Sequence, residues 1–258
     1  MPEAAINGIR LYYESHGDGA PLVFAHGAGG NHLSWWQQVP FFRERYRCIV
    51  FDQRGFGRST DIEGGPGWGA HCDDLRALLD ELGIEKAALV AQSMGGRTCM
   101  GFAAAFPERV TALVMADTML GMTNAELAAK LRAHREGQGG PQPLQGRTYS
   151  PRFVRDKPAL AFLYDSIMAN NPAATGARPV SSDEPYVATD EKLAQMRVPA
   201  LFIAGAEDVI FPPEILRFAA ALVPGARYEE VPGCGHSVYF EDADAFNRIV
   251  AGFLSAAG

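Results

Sequence analysis

The chain predicts an α/β fold: a mostly parallel, eight-stranded sheet flanked by helices, with a helical segment inserted past its middle. Three observations predict it. Short apolar runs alternate with helical patterns along most of the 258 residues. From about residue 120 to 190 the alternation stops and only helical signals remain. At Val90-Ala91-Gln92-Ser93-Met94-Gly95-Gly96 an apolar run passes into a helix-like segment across a single serine.

The elements follow in order. Asn7-Gly8 is a two-residue hairpin signal between the short runs AAI and IRLYYE. Leu22 to Ala25, Cys48 to Phe51, Ala87 to Ala91, Ala112 to Ala116 and Ala200 to Ala204 read as buried parallel strands, and Arg227 to Val231 as a last one. Between them, His71 to Leu82 places Leu75, Leu78, Leu79 and Leu82 at helical spacing, and Gly83 closes it. Gly95 to Phe106 is a small-residue helix closed by Pro107; Pro213 to Leu222 and Asp242 to Leu254 supply two more. Strand alternating with helix means βαβ units. Within the insertion, Thr123-Asn124-Ala125-Glu126 is a capping box that opens a helix to about Arg135. Gly137 to Pro143 breaks it, Ser150-Pro151 starts a second helix as N-cap and first-turn proline, and Pro158 to Asn170 forms a third. The expected division is a core of residues 1–119 and 191–258 with a helical cap, or lid, over 120–190.

Composition bounds the function. A hydrophobic share of 47% and a charged share of 21% are those of an ordinary globular chain. A net charge of −7 argues against a nucleic-acid partner, because phosphate neutralisation needs excess cations. No run approaches the roughly 20 apolar residues of a membrane span, so no membrane partner is expected. The N-terminal MPEAAINGIR has no basic segment leading into an apolar one. Cys48, Cys72, Cys99 and Cys234 form no CxxC pair. The expectation is a cytoplasmic monomer or homodimer with reduced thiols, acting on a small molecule.

The serine suggests the chemistry. Ala91-Gln92-Ser93-Met94-Gly95 matches the G-x-S-x-G nucleophile elbow with Ala91 in the first glycine position. Such an elbow strains the backbone and projects the hydroxyl from the carboxyl edge of the sheet; alone, the pentapeptide also fits a serine helix cap. A serine hydroxyl needs a positioned base. Of the six histidines, His236 follows the last strand on the glycine-rich loop Pro232-Gly233-Cys234-Gly235-His236-Ser237. The base needs a carboxylate to hold its tautomer. Asp208, past a strand end in Gly205-Ala206-Glu207-Asp208 and before Pro212-Pro213, is favoured; Asp117, at the end of Leu113-Val114-Met115-Ala116, is the rival. The oxyanion needs two donors. The N–H of Met94 is one; the N–H of Ala28, in His26-Gly27-Ala28-Gly29-Gly30 after an early strand, is the other, with Gly29 as the alternative. His26 is expected to hold that loop. Gly27 and Gly29 would then border the substrate. Of Trp35 and Trp36, one packs in the core and one walls the acyl site, and Trp35 is assigned to the wall. Leu120, Met122, Phe162, Leu163, Tyr164 and Met168 form an apolar set that would roof the pocket, with Leu120, Met122, Phe162 and Met168 as binding residues. Arg178 is the candidate for an acidic substrate group.

With these residues in view, the sequence resembles the α/β-hydrolase superfamily. The resemblance covers nearly the whole core: HGAGG at 26–30, DQRGFGRS at 52–59, VAQSMGG at 90–96, GAED at 205–208 and GCGHS at 233–237. It implies the superfamily's fold with an inserted cap, catalysis by Ser93, Asp208 and His236, and no cofactor; DQRGFGRS resembles a structural turn. A serine at 93 excludes the branches with an aspartate nucleophile. Relatives that cleave C–C bonds often carry Trp after the histidine and Asn before the nucleophile; here these are Ser237 and Gln92, so ester or lactone hydrolysis ranks above C–C hydrolysis. The cofactor-free haloperoxidase or perhydrolase branch uses the same triad.

Other classes explain less. Gly27-Ala28-Gly29 with Asp52 about 20 residues on mimics a dinucleotide fingerprint, but His32 stands where the third glycine belongs. A non-catalytic binding protein or receptor is the alternative of another class. No metal is expected: His71-Cys72-Asp73-Asp74 opens an amphipathic helix, where the helix dipole favours aspartate. Cys234 is expected to pack in its loop.

Overall fold

The computed structural model describes residues 2–140, 142–144, 146–171 and 186–257. In chain order the elements are β1 (Glu3–Ile6), β2 (Ile9–His16), β3 (Ala20–Ala25), α1 (Gln38–Phe42), β4 (Tyr46–Phe51), α2 (His71–Glu81), β5 (Ala87–Gln92), α3 (Gly95–Ala105), β6 (Val110–Ala116), β7 (Met122–Thr123), α4 (Ala125–Gly137), α5 (Pro151–Asp156), α6 (Pro158–Ala169), β8 (Ala188–Thr189), α7 (Asp190–Gln195), β9 (Ala200–Gly205), α8 (Pro213–Ala221), β10 (Arg227–Val231), α9 (Val238–Glu241) and α10 (Ala243–Ala257). Eight strands form one sheet in the order β1-β2-β4-β3-β5-β6-β9-β10. β1 and β2 form the antiparallel hairpin that Asn7-Gly8 predicts, with positive φ at both turn residues, 45° and 79°. β2 also runs antiparallel to β4, and every later pairing in this sheet is parallel.

Alternation along each strand divides the core in two. Ala87, Leu89 and Ala91 of β5 face the side covered by α2, α3 and α8, whereas Ala88 and Val90 face α1 and α10. Both faces are covered, so the central strands read as unbroken apolar runs. The close of α2 follows its sequence: Gly83 takes φ 64°, and Ile84 N–H reaches back to the Leu79 carbonyl at 2.8 Å.

Two expectations need correction in the segment between β6 and β9. The helix α4 is capped by Asn124, whose side chain accepts from Leu127 N–H at 2.8 Å, one residue later than the Thr123 box. Residues 120 to 190 are also not free of strand. β7 and β8 pair in parallel, Met122 with Ala188 and Thr123 with Thr189. Two residues each are too short to show a periodicity, and the pairing joins positions more than sixty residues apart. Among the described residues, no helix is long and apolar enough to cross a membrane.

Candidate active site

The bend at Ser93 is a strained one. β5 ends at Gln92, α3 begins at Gly95, and Ser93 between them has φ 48°. For a serine this costs about 1–3 kcal/mol and survives only where neighbours over-determine it. They do: Ser93 N–H donates to the Ala116 carbonyl at 3.1 Å, and its own carbonyl accepts from Gly96 N–H at 2.9 Å and Thr118 Oγ1 at 2.7 Å. Small residues let the segments pass. Ala91 is fully buried in register between Ala25 and Met115, and a Cβ on Gly95 would strike the backbone of Ala25.

His236 and Asp208 meet this serine. His236 Nε2 lies 2.8 Å from Ser93 Oγ, and His236 Nδ1 lies 2.9 Å from Asp208 Oδ2. A carboxylate can only accept, so Nδ1 carries the proton and Nε2 is free to take one from Ser93. The other oxygen of Asp208 accepts from Ile210 N–H at 2.7 Å and Phe211 N–H at 3.0 Å, which fixes the carboxylate plane. Both side chains are buried. Burial disfavours the imidazolium, but the charge and hydrogen bond of Asp208, with help from Asp117 and Glu241, outweigh it and hold His236 above the ordinary histidine value.

Asp117 does not bond to the histidine. It has φ 50° and accepts from Gly205 N–H at 3.0 Å and Val238 N–H at 3.1 Å, which joins the end of β9 to the start of α9. Burial, and then the charge of Asp208, push its carboxyl well above the usual carboxylate range. Of the two aspartates, Asp208 is the one that the imidazole faces.

The loop after β3 packs against the serine. A Cβ on Gly27 would strike Gln92 Oε1 and crowd Ser93. Among the described residues neither Ala28 N–H nor Met94 N–H has an acceptor. His26 holds this loop: its Nε2 accepts from Gln53 N–H at 3.0 Å, so its Nδ1 must donate to the Gly27 carbonyl at 2.8 Å. Burial pulls its pKa down to about 4, so it stays neutral. The DQRGFGRS turn is occupied by structure. Asp52 Oδ1 accepts from His32 N–H and Nδ1, its Oδ2 accepts from Arg58 N–H, and Arg54 grips Asp74 at 2.7 and 2.8 Å. Asp52 therefore has no oxygen free for a ribose. Among the described residues no group of three His, Cys, Asp or Glu could hold a metal ion.

The expected substrate residues divide. Met168 lies over Gly29, where an added Cβ would run into its side chain, and Gly27 borders Ser93. Trp35 does not wall a pocket; it is fully enclosed between Phe24 and Tyr239, at centroid distances of 5.1 and 4.8 Å, while Trp36 is the exposed one of the pair. Phe162 is 75% exposed and points to solvent, because α6 turns its Ala161, Tyr164 and Ile167 face inward. Met122 and Leu120 pack into the core on the α2–α3 side, drawn there by the β7–β8 pairing. Leu163 and Tyr164 join the opposite core. Arg178 lies outside the described residues.

Sequence reading missed two side chains. Gln92 Nε2 donates to the His236 carbonyl at 2.8 Å, beneath the serine that it precedes. Glu241, buried, accepts from Gly235 N–H at 2.8 Å, Ser237 N–H at 3.4 Å and Ser150 N–H at 2.9 Å. A lone glutamate in the apolar run Val238-Tyr239-Phe240-Glu241 was the available signal, since such a residue is buried only with partners.

Residues 20–243 match the model of the α/β-hydrolase fold family. The chain belongs to the α/β-hydrolase family. RutD of Azorhizobium caulinodans, named for carbamate hydrolysis, is 30% identical over 98% of both chains. A 3-oxoadipate enol-lactonase of Acinetobacter baylyi is 30% identical over 94% of this chain and 92% of its own. Among solved structures, Est816, described as an N-acyl homoserine lactone degrading enzyme, superposes with a TM-score of 0.80 at 27% identity, covering 98% of this chain and all 100% of its own. The names of these relatives point to different substrates, a carbamate in one and lactones in the other two.

Proposed function

We propose that this α/β-hydrolase is a serine hydrolase that cleaves a small to medium apolar carboxylic ester or lactone through an acyl-enzyme. The observation that carries the proposal is the unbroken relay from Ser93 through His236 to Asp208 at 2.8 and 2.9 Å. Ser93 Oγ attacks the carbonyl carbon while His236 Nε2 takes its proton. Asp208 holds the proton on Nδ1 and stabilises the imidazolium. The N–H groups of Ala28 and Met94 receive the oxyanion. His236 then protonates the leaving alkoxide, and in the second half it deprotonates a water that releases the acid. In a lactone the leaving group stays tethered to the acid, so the same steps yield one hydroxy acid. The apolar preference rests on Met168 over Gly29 and on Phe211 beside His236, at a centroid distance of 5.5 Å. The two lactone-degrading relatives support the lactone branch.

The test is a pre-steady-state assay with p-nitrophenyl butyrate. The wild type should release a burst of p-nitrophenol matching the enzyme concentration, with a butyryl adduct on Ser93 by mass spectrometry. Ser93→Ala should lose about 10⁴-fold or more in kcat while remaining folded. A Ser93→Ala variant that keeps more than about a tenth of the wild-type rate would remove Ser93 from the mechanism.

A further inference from the structure

Resting on the proposed acyl-enzyme reading, we infer that Glu241 is a positioning residue: one buried carboxylate that sets the His236 loop in register and docks the inserted helical segment onto it. The geometry is unusual in its reach. Glu241 Oε1 accepts from Gly235 N–H and Ser237 N–H, the residues on either side of His236. Glu241 Oε2 accepts from Ser150 N–H, at the N-cap of α5 across 91 positions of chain. Its own main-chain carbonyl accepts from Lys157 Nζ at 2.7 Å, at the other end of α5. The parts are closely apposed: a Cβ on Gly235 would meet the backbone of Tyr149 and Ser150. A second tie runs parallel, from Ser237 Oγ to the hydroxyl of Tyr164 in α6 at 3.1 Å.

The consequence lies in the groups that each oxygen holds. The imidazole must serve Ser93 and Asp208 at once, and displacing such a group by about 1 Å costs about 100-fold in rate. His236 sits on a loop with Gly233 and Gly235, which resist movement least. Clamping the amides on both sides of the histidine removes that freedom. The clamp shares its carboxylate with α5, so release of α5 and loosening of the histidine are linked through one side chain.

Two variants separate this role from bulk stability. Glu241→Ala removes both sets of bonds. Glu241→Gln keeps one accepting oxygen, and the pair of donors at Gly235 and Ser237 outbids the single donor at Ser150 for it. Hydrogen exchange should show 148–157 and 232–241 both deprotected in Glu241→Ala, but only 148–157 deprotected in Glu241→Gln. The kcat/KM for p-nitrophenyl butyrate should fall about 100-fold in the alanine variant and recover to within about tenfold of wild type in the glutamine variant. A folded Glu241→Ala with kcat/KM within about threefold of wild type, or wild-type exchange in both segments, overturns the inference. If Glu241→Ala does not fold, the glutamine variant decides alone: unchanged exchange at 148–157 overturns it. If the wild type hydrolyses no ester, the proposed function fails, and Glu241 is then judged by exchange and by the rate at which a fluorophosphonate labels Ser93.

Discussion

Asp208→Asn changes one atom, and the surrounding hydrogen bonds determine how the imidazole responds. Asp208 Oδ1 accepts from Ile210 and Phe211 N–H, at 2.7 and 3.0 Å, and Oδ2 accepts from His236 Nδ1 at 2.9 Å. An asparagine has one accepting oxygen. Turning its NH₂ toward the two backbone donors would leave both buried and unsatisfied, at about 1–3 kcal/mol each. The amide oxygen therefore stays on the backbone, and the NH₂ faces His236 Nδ1. Nδ1 must then accept, the proton moves to Nε2, and Nε2 donates to Ser93 Oγ instead of taking its proton. Forcing the wrong tautomer in this way costs about 10⁴ in kcat, or about 5.5 kcal/mol of transition-state stabilisation. Both backbone bonds survive, so the melting temperature should stay within a few degrees of wild type. Steady-state hydrolysis of p-nitrophenyl butyrate from pH 5 to 10, beside a thermal melt, measures both. A folded Asp208→Asn within about tenfold of the wild-type kcat would refute the reasoning, and a collapse in Asp117→Asn instead would transfer the orienting role to Asp117.

Further outcomes rest on the same contacts. His236 must be neutral to act as base and is held above the ordinary histidine value, so kcat/KM should rise with pH through a midpoint above about 6.5; a midpoint below it contradicts the Asp208 pairing. His26 and His71 are buried neutral, with pKa values drawn down by burial to about 4 and about 3, whereas the unfolded chain protonates them near 6.5. Their contribution is complete above that value and declines as pH falls, so urea unfolding at pH 5 should show a loss of about 2 kcal/mol for each relative to pH 7. Gly95→Ala drives a methyl into the Ala25 backbone and should cost about 1–3 kcal/mol by the same method. Arg54→Ala strands Asp74 in the core without its bidentate partner and should cost about 3–5 kcal/mol; a loss under about 1 kcal/mol would mean that water reaches that carboxylate.

The sheet was legible because its strands are short apolar runs ended by glycine, proline or polar residues, and because parallel strands buried on both faces leave that mark. The placement of Ser93, His236 and Asp208 was legible for a related reason: each follows the carboxyl end of a strand, and parallel strands bring those ends to one edge. Asp117 illustrates the limit. It also ends a strand, and its oxygens turn to Gly205 and Val238 only through tertiary contacts that local sequence does not mark. The residues expected to line the pocket were read least well. Phe162 and Trp35 are both large and apolar, yet one faces solvent and the other is fully enclosed, because helix rotation and tertiary neighbours decide exposure and neither is written in local sequence. Gln92 acts through the His236 carbonyl, 144 positions away, and Glu241 reaches Ser150, 91 positions away, and neither long-range partnership is marked in the local sequence.

The small ribbon of β7 and β8 has a consequence for how this molecule can vary. Met122 sits beside Ala188 and Thr123 beside Thr189, with Ala188 N–H also bonded to the Gly121 carbonyl at 2.8 Å, so the excursion leaves and rejoins the sheet through a single stitched seam. The strands beyond that seam do not register how much polypeptide is spooled out between its two sides, and lengthening a closed loop adds only about 0.6 kcal/mol per doubling. The segment between the two sides can therefore change length at little cost in chain entropy, provided a replacement still supplies the contacts that Ser150, Lys157 and Tyr164 make with Ser237 and Glu241.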